Sequence, residues 1–297
     1  MEQKINEKEQ ESAWAPVQKR QFPSWIDLFV LLGLFLVANL VGSGVALLCG
    51  IPMPSSLPAA QSDLTLRLAM EIDIAKFNAV SYFVAMLITC VGFYLYRWKR
   101  CKARSLGRFS WRGFNPSLLL WGVLFMLTTS LVIEPLLLLL PAVPEVYGRG
   151  LWAIVTVVVM APIFEEVLFR GILLESLRAR YGVVAALMLS SLLFAVIHFH
   201  LTVAVNAFFM GLILGYIYLE TNSLWSVIFL HALNNTISYV LMALGYASLS
   251  MKELVGSPAL YWALYGGSVV VLVLSAWKLV RTLRTLRRAE KKAPEAQ

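Results

Sequence analysis

Long apolar runs follow one another along almost the whole of this chain, separated by short polar segments. A helix needs about 20 predominantly apolar residues to cross the hydrocarbon core of a bilayer. Runs that approach or exceed that length occupy residues 25–49, 75–96, 117–140, 151–177, 183–198, 203–219, 223–244 and 259–277. We therefore predict an all-α, polytopic membrane protein with about eight transmembrane helices.

The composition excludes a soluble globular protein. Charged residues make up only 14% of the chain, against about 25% in a typical soluble domain. The net charge of +8 could point to a nucleic-acid partner, but the basic residues cluster just beyond the apolar runs, where membrane topology accounts for them. We predict no nucleic-acid binding. The cysteines Cys49, Cys90 and Cys101 have no metal-ligand spacing, and no disulfide framework is expected.

Lysines and arginines determine the expected orientation. The segment after the second run contains no acidic residue. Its basic residues are Arg97, Lys99, Arg100, Lys102, Arg104, Arg108 and Arg112. The segment after the last run is also basic, and such segments stay in the cytoplasm. We expect a multi-pass protein of the cell (inner) membrane with cytoplasmic N- and C-termini, whose basic tail meets anionic membrane lipids.

Two adjacent carboxylates and an arginine interrupt the fourth apolar run, at Glu165, Glu166 and Arg170. An ionisable side chain at the centre of a membrane helix costs roughly 2.5–3.5 kcal/mol on insertion scales and is by default a candidate functional residue. Glu166 and Arg170 are spaced i,i+4 and share a helix face, whereas Glu165 points about 100° away. We expect Arg170 to pair with Glu166 and Glu165 to face a polar cavity. The alternative is an ion-pair cluster that serves only helix packing.

Pro162 precedes the two glutamates and lacks a backbone N–H. In a regular α-helix this would free the carbonyl of Val158, which a neighbouring group or a water must then satisfy. We therefore expect a kink and a polar environment close to Glu165.

All of the histidines follow the glutamates, at His198, His200 and His231. Asn235 lies at i+4 from His231, so an imidazole and an amide share one helix face and both can donate hydrogen bonds. His198 and His200 cannot readily face one site, and we favour His198, leaving His200 as a supporting or outer-loop residue. A lone buried histidine is more often a packed core residue, so these assignments depend on the glutamates.

Taken together, the polar residues of these helices form three ordered motifs: Glu165-Glu166-x-x-x-Arg170, Phe194-x-x-x-His198 and His231-x-x-x-Asn235. This pattern resembles the signature of the CAAX prenyl protease and bacteriocin-processing (CPBP, or Abi) family of intramembrane proteases. The resemblance implies a four-helix catalytic core. It divides the chain into a polar cytoplasmic tail (1–24), three N-terminal transmembrane helices (25–150), the protease core (151–245), and a last helix with a basic tail (246–297).

The resemblance also implies roles for these residues in peptide-bond hydrolysis. Glu165 and His198 would activate a water molecule, and His231 and Asn235 would stabilise the oxyanion. Glu166 and Arg170 would support the site. The expected partner is a peptide or lipidated protein substrate in the membrane, including CAAX-type prenylated peptides. Glu165, or alternatively Glu166, could instead hold a zinc ion together with His198 and His231, as a His₂Glu set with an open position for water. The sequence leaves both mechanisms open.

Two functions of other classes are also compatible with the sequence. The first is a non-catalytic membrane scaffold or bacteriocin self-immunity protein of the same fold. The second is an ion-coupled transporter that uses the buried glutamates and histidines as a relay, although the chain lacks the inverted repeats that many transporters show. Glu134, near the outer end of the third run, has no assigned role.

Overall fold

The computed structural model describes residues 22–53, 64–111, 114–141, 148–246 and 249–292. Most of the predicted cytoplasmic tail, 1–24, lies outside the described residues. Helices are the only regular elements in the described ranges: α1 Trp25–Leu48, α2 Leu64–Cys101, α3 Pro116–Leu137, α4 Leu151–Tyr181, α5 Val183–Val196, α6 Leu201–Thr221, α7 Leu224–Ala243, α8 Met251–Val255 and α9 Pro258–Lys292. The chain is therefore an all-α, polytopic membrane protein, as predicted.

Seven of the described helices are long and apolar enough to cross a membrane, and α5 is a shorter apolar helix, in agreement with the prediction of about eight. The α5 helix has 14 residues and measures about 21 Å, less than the roughly 30 Å hydrocarbon core. Gly182, at φ +82°, begins this helix directly after α4. The left-handed backbone of Phe199, at φ +52°, prevents the helix from continuing. His198 consequently lies in the turn after α5 and not within a helix.

Side chains that cap the helices explain where several of them begin. Ser24 and Asp27 form a reciprocal capping box at the start of α1. Asn115 accepts hydrogen bonds from the first backbone N–H groups of α3, and Ser223 caps α7 in the same way. These caps satisfy backbone donors that a bilayer could not satisfy.

The helix α4 lies between two buried apolar clusters. One cluster is formed mainly by α3, α6, α7 and α9, and the other by α1, α2 and α5. Leu174 and Leu177 of α4 belong to the first cluster, whereas Leu168 and Phe169 belong to the second. Large apolar side chains also cover the outer surface, as expected for a protein whose surroundings are lipid. Glu165, Glu166 and Arg170 of α4, all three buried, therefore lie inside the helix assembly.

Gly42 allows α1 to pack closely against α2. A Cβ atom at this position would overlap the carbonyl oxygen of Ser81, the residue before Tyr82. Gly44, on the same helix, has no atom within 4 Å of the position that its Cβ would take. Small residues at such contacts let the backbones of membrane helices approach each other.

Gly42→Ala should therefore destabilise the protein by about 1–3 kcal/mol, since α1 or α2 must move to accommodate the methyl group. Thermal unfolding in detergent would measure the loss. Gly44→Ala is the matched control and should unfold at the wild-type temperature or slightly above it, because alanine favours the helix. Equal unfolding temperatures for the two variants would contradict this packing.

Candidate active site

The two glutamates lie in a short α-helical segment, Ala161–Glu166, within a helix that is π-helical on both sides. The π-helical stretches are Val155–Met160 and Val167–Leu174. π-Helical turns are rare in proteins, and those that occur are often found at functional sites. The first stretch precedes Pro162, whose missing N–H already interrupts the regular hydrogen-bond pattern. Glu165 and Glu166 are thus presented by a locally irregular helix.

Asn235 satisfies a backbone carbonyl in the first π-helical stretch. The N–H of Ala161 bonds to the carbonyl of Thr156, five residues earlier. In this register the N–H directed at Val157 would belong to residue 162, which is a proline. The side-chain amide of Asn235 donates to the Val157 carbonyl instead, at 2.9 Å. The carbonyl that a neighbouring side chain satisfies is therefore that of Val157, one residue before the Val158 carbonyl expected for a regular α-helix, which agrees with a π-helical register.

Glu166 connects α4 to α7 through one oxygen atom. Its Oε1 accepts a hydrogen bond from Arg170 Nη1 at 2.9 Å, as the i,i+4 spacing predicts, and another from His231 Nδ1 at 2.8 Å. Glu166 and Arg170 have exposed fractions of 0% and 1%, so neither charge is solvated by bulk water. Because a carboxylate only accepts, His231 carries its Nδ1 proton towards Glu166. This leaves Nε2 as the ring nitrogen that can act elsewhere.

Arg170 is held by contacts beyond its carboxylate partner. Its Nη2 donates to the carbonyl of Gly211 in α6 at 3.2 Å. The guanidinium lies 4.8 Å from the ring centroid of Phe194, a distance at which cation–π attraction operates. Arg170 thereby links α4, α5 and α6 around the Glu166 carboxylate.

Glu165 faces a different set of groups, as predicted from its angular position. Its Oε1 accepts a hydrogen bond from the Tyr82 hydroxyl of α2 at 2.8 Å. Its Oε2 lies 3.8 Å from His231 Nε2. The exposed fraction of Glu165 is 7%. The His231 ring therefore contacts both glutamates, one through each nitrogen.

His198 is joined to this cluster through Phe194. Its Nδ1 lies 2.8 Å from the Phe194 carbonyl, which can only accept, so the Nδ1 proton is used there and Nε2 is the nitrogen left for other contacts. The Phe194 ring packs edge-on against both His198 and His231, with centroids 5.1 Å and 5.9 Å apart. Among the described residues, no hydrogen bond or ion pair joins His198 directly to Glu165.

Two further polar residues are separate from the cluster. His200 immediately precedes α6, and its buried Nδ1 has no hydrogen-bond partner among the described residues. Glu134 accepts a hydrogen bond from the backbone N–H of Met251, the first residue of α8. Glu134 therefore joins α3 to the start of this short helix, which gives it a structural contact that the sequence did not indicate.

The candidate metal ligands do not form a complete set. In the part of the chain that the structure describes, no group of three His, Cys, Asp or Glu side chains is placed to hold a metal ion. Glu165 Oε2 and His231 Nε2 lie 3.8 Å apart, whereas among the described residues no polar contact joins His198 to either of them. The bond from His198 Nδ1 to the Phe194 carbonyl leaves Nε2 available as a ligand atom, so the zinc set of Glu165, His198 and His231 stays a prediction.

Tyr82 is the site residue that sequence reasoning missed. It lies on α2, outside the three motifs, and a single tyrosine within an apolar run gives no periodic signal. The available indication was weak: a buried phenolic hydroxyl in a membrane needs a hydrogen-bond partner, and a carboxylate on another helix can provide it.

The contact between Asn235 and Val157 predicts a coupling with Pro162. Asn235→Leu should lower the unfolding free energy by about 1–3 kcal/mol, because it leaves a carbonyl unsatisfied in an apolar surrounding. Pro162→Ala restores an N–H at residue 162 and should reduce that cost when the two changes are combined. Thermal unfolding of the single and double variants would measure the coupling, with Asn234→Leu as the neighbouring control. Strictly additive losses would contradict the proposed hydrogen-bond replacement.

Comparison with known proteins gives a match to a protein family. Residues 147–237 match the model of a protein family described as type II CAAX prenyl endopeptidase Rce1-like. No curated protein and no solved structure matches the chain. The matched residues include Glu165, Glu166, Arg170, His198, His231 and Asn235, but not Tyr82.

Proposed function

We propose that this protein is an intramembrane endopeptidase that uses a glutamate and histidines to activate water, because residues 147–237 match the model of the Rce1-like family of type II CAAX prenyl endopeptidases. One observation carries the proposal: Glu165 Oε2 and His231 Nε2 face each other 3.8 Å apart in a buried site, while Glu166 orients the imidazole. A water molecule and a peptide carbonyl bound beside these two atoms would lie within hydrogen-bond reach of them.

In the proposed reaction, Glu165 and His198 activate the water. The water oxygen attacks the scissile carbonyl carbon as its proton passes to Glu165. The carbon–nitrogen bond then breaks, and the same proton is delivered to the departing amine. The unprotonated Nε2 of His198 supplies a second acceptor for the water, since its Nδ1 proton is directed at Phe194.

His231 is proposed to stabilise the oxyanion through a protonated Nε2. Because the Nδ1 proton is directed at Glu166, this role requires a second proton on Nε2, which would face the oxyanion. The hydrogen bond from Nδ1 to Glu166 fixes the ring, so no reorientation is needed as the oxyanion forms. Glu166 and Arg170 thus support the reaction without contacting the substrate.

Asn235 is proposed to contribute to the oxyanion site with its second amide hydrogen. One of its two N–H groups is already donated to the Val157 carbonyl, and this bond holds the amide in place. A single oxyanion donor is commonly worth about 2.7–4 kcal/mol of transition-state stabilisation. Loss of Asn235 should therefore slow the reaction strongly without abolishing it.

The proposed substrates are membrane-associated peptides or proteins, with CAAX-type prenylated peptides as the first class to test. The family description names this class, and the lipid-facing surface of the helices is compatible with a substrate that carries a lipid tail. The basic segment after α2 and the basic end of α9 support an orientation with both termini in the cytoplasm, in the cell (inner) membrane.

Cleavage of a prenylated CAAX peptide by purified protein in detergent would test the function directly. Glu165→Gln should lose measurable activity, whereas Asn235→Ala should retain about 0.1–1% of it. Glu220→Gln changes a partly buried glutamate that pairs with Arg287 outside the site, and this matched control should cleave at the wild-type rate. Wild-type activity in both site variants would overturn the role assignments.

A comparison of membrane proteomes would extend this test to substrates of other kinds. Proteins that are shortened in cells with the wild-type protein but intact in cells with Glu165→Gln would be its substrates. If the two proteomes are identical while a protective or binding phenotype persists in Glu165→Gln, the protein acts as a scaffold or immunity protein instead.

The proposed mechanism predicts that hydrolysis does not depend on a metal. Purified protein should keep its activity in excess chelator, because Glu165 and His198 activate the water and His231 and Asn235 stabilise the oxyanion without an ion in these steps. Elemental analysis of the active protein would accompany the assay. Activity that is lost on chelation and restored by zinc would show that His198 moves towards Glu165 and His231 around a bound ion.

A further inference from the structure

Tyr82 makes a polar contact with the proposed general base from outside the family-matched segment. Its hydroxyl donates to Glu165 Oε1 at 2.8 Å, and this is the only hydrogen bond to that carboxylate among the described residues. The other oxygen, Oε2, faces His231 Nε2. The two oxygens of Glu165 are therefore in different environments, one bound to α2 and one directed at the reactive side of the site.

We propose that Tyr82 is a positioning residue that holds the Glu165 carboxylate by Oε1 and leaves Oε2 to accept the proton of the attacking water. The proposal rests on the endopeptidase function above. A glutamate side chain rotates about three single bonds before its carboxylate, so one charge-assisted hydrogen bond to a rigid donor removes much of that freedom. Misplacement of a reacting group by about 1 Å is enough to reduce rates about a hundredfold.

The surroundings of Tyr82 make it a rigid donor. Phe83 packs edge-on against Phe164, the residue before Glu165, with ring centroids 5.8 Å apart. Two turns further along α2, the Cys90 thiol lies 3.7 Å from the Phe164 carbonyl. On the opposite side of α2, Gly42 brings α1 against the Ser81 backbone. The Tyr82 hydroxyl is therefore fixed relative to Glu165 by contacts on two sides of its helix.

This arrangement has a consequence for the extent of the active site. The family match begins at residue 147, whereas Tyr82 belongs to α2, Leu64–Cys101. The segment 147–237 provides the reacting groups, and α2 provides the hydrogen bond that orients one of them. The complete catalytic arrangement therefore includes an N-terminal helix that lies outside the matched segment.

Tyr82→Phe removes the hydroxyl and keeps the ring, and it tests the proposal in the full-length protein. The turnover number kcat should fall about tenfold to a hundredfold, the range expected for loss of one hydrogen bond to a charged group. KM for the prenylated peptide should change less than about twofold, because the Tyr82 hydroxyl is already donated to Glu165. Tyr94→Phe on the same helix is the matched control and should match wild-type kcat. A wild-type kcat in Tyr82→Phe would overturn the proposal. A loss of kcat/KM that comes entirely from an increase in KM would also overturn it.

A double-mutant cycle distinguishes positioning from general packing. Glu165→Asp shortens the side chain by one methylene and takes its oxygen away from the Tyr82 hydroxyl. Adding Tyr82→Phe to Glu165→Asp should then reduce kcat less than about twofold further. Fold losses that multiply across the two sites would show that Tyr82 acts independently of Glu165 and would overturn the proposal.

The same four proteins separate this inference from the proposed function. If the wild-type protein cleaves no peptide, the endopeptidase function fails, and unfolding temperatures then test the contact alone. If the unfolding temperature of the double variant shifts by less than the sum of the two single-variant shifts, the hydrogen bond between Tyr82 and Glu165 is supported. Strictly additive shifts overturn it.

Discussion

The bifurcated contact of Glu166 with Arg170 and His231 is the interaction on which the rest of this site depends. A single carboxylate oxygen binds a guanidinium on its own helix and an imidazole on another, in a place where both glutamates and the arginine are buried. A buried charge that loses its partner is strongly destabilising, so these groups constrain one another. The contact also decides the chemistry available to His231, because it uses Nδ1 and directs Nε2 at Glu165.

The irregular backbone of α4 is the second constraint. A proline within a membrane helix leaves a carbonyl without a donor, and no water is present in the hydrocarbon core to replace it. Here the π-helical register before Pro162 moves the deficit to Val157, and Asn235 of α7 supplies the donor. The same face of α7 also places His231 against both glutamates. The irregular segment of α4 thus provides the hydrogen-bond acceptors, and the polar face of α7 provides the donors that bind them.

The site also combines helices from inside and outside the segment that matches the family. Residues 147–237 match a known endopeptidase family, and they contain the ion pair, both candidate histidines and Asn235. Tyr82 comes from α2, which packs on α4 through aromatic and thiol contacts around Phe164. The N-terminal helix α2 is therefore part of the environment of Glu165, in addition to its role as a membrane span.

The amino-acid sequence by itself determined the features that depend on local order along the chain. Apolar run length predicted an all-α membrane protein, and the i,i+4 spacing predicted the contact between Glu166 and Arg170 as well as the different direction of Glu165. Tertiary structure decided what each of these groups meets on other helices. It shortened α5 and placed His198 in a turn, it brought Tyr82 to Glu165, and it gave the amide of Asn235 to Val157. Helix periodicity fixes angles and distances within one helix, whereas the rotation and depth of one helix against another follow from packing of the whole assembly, which no single segment encodes.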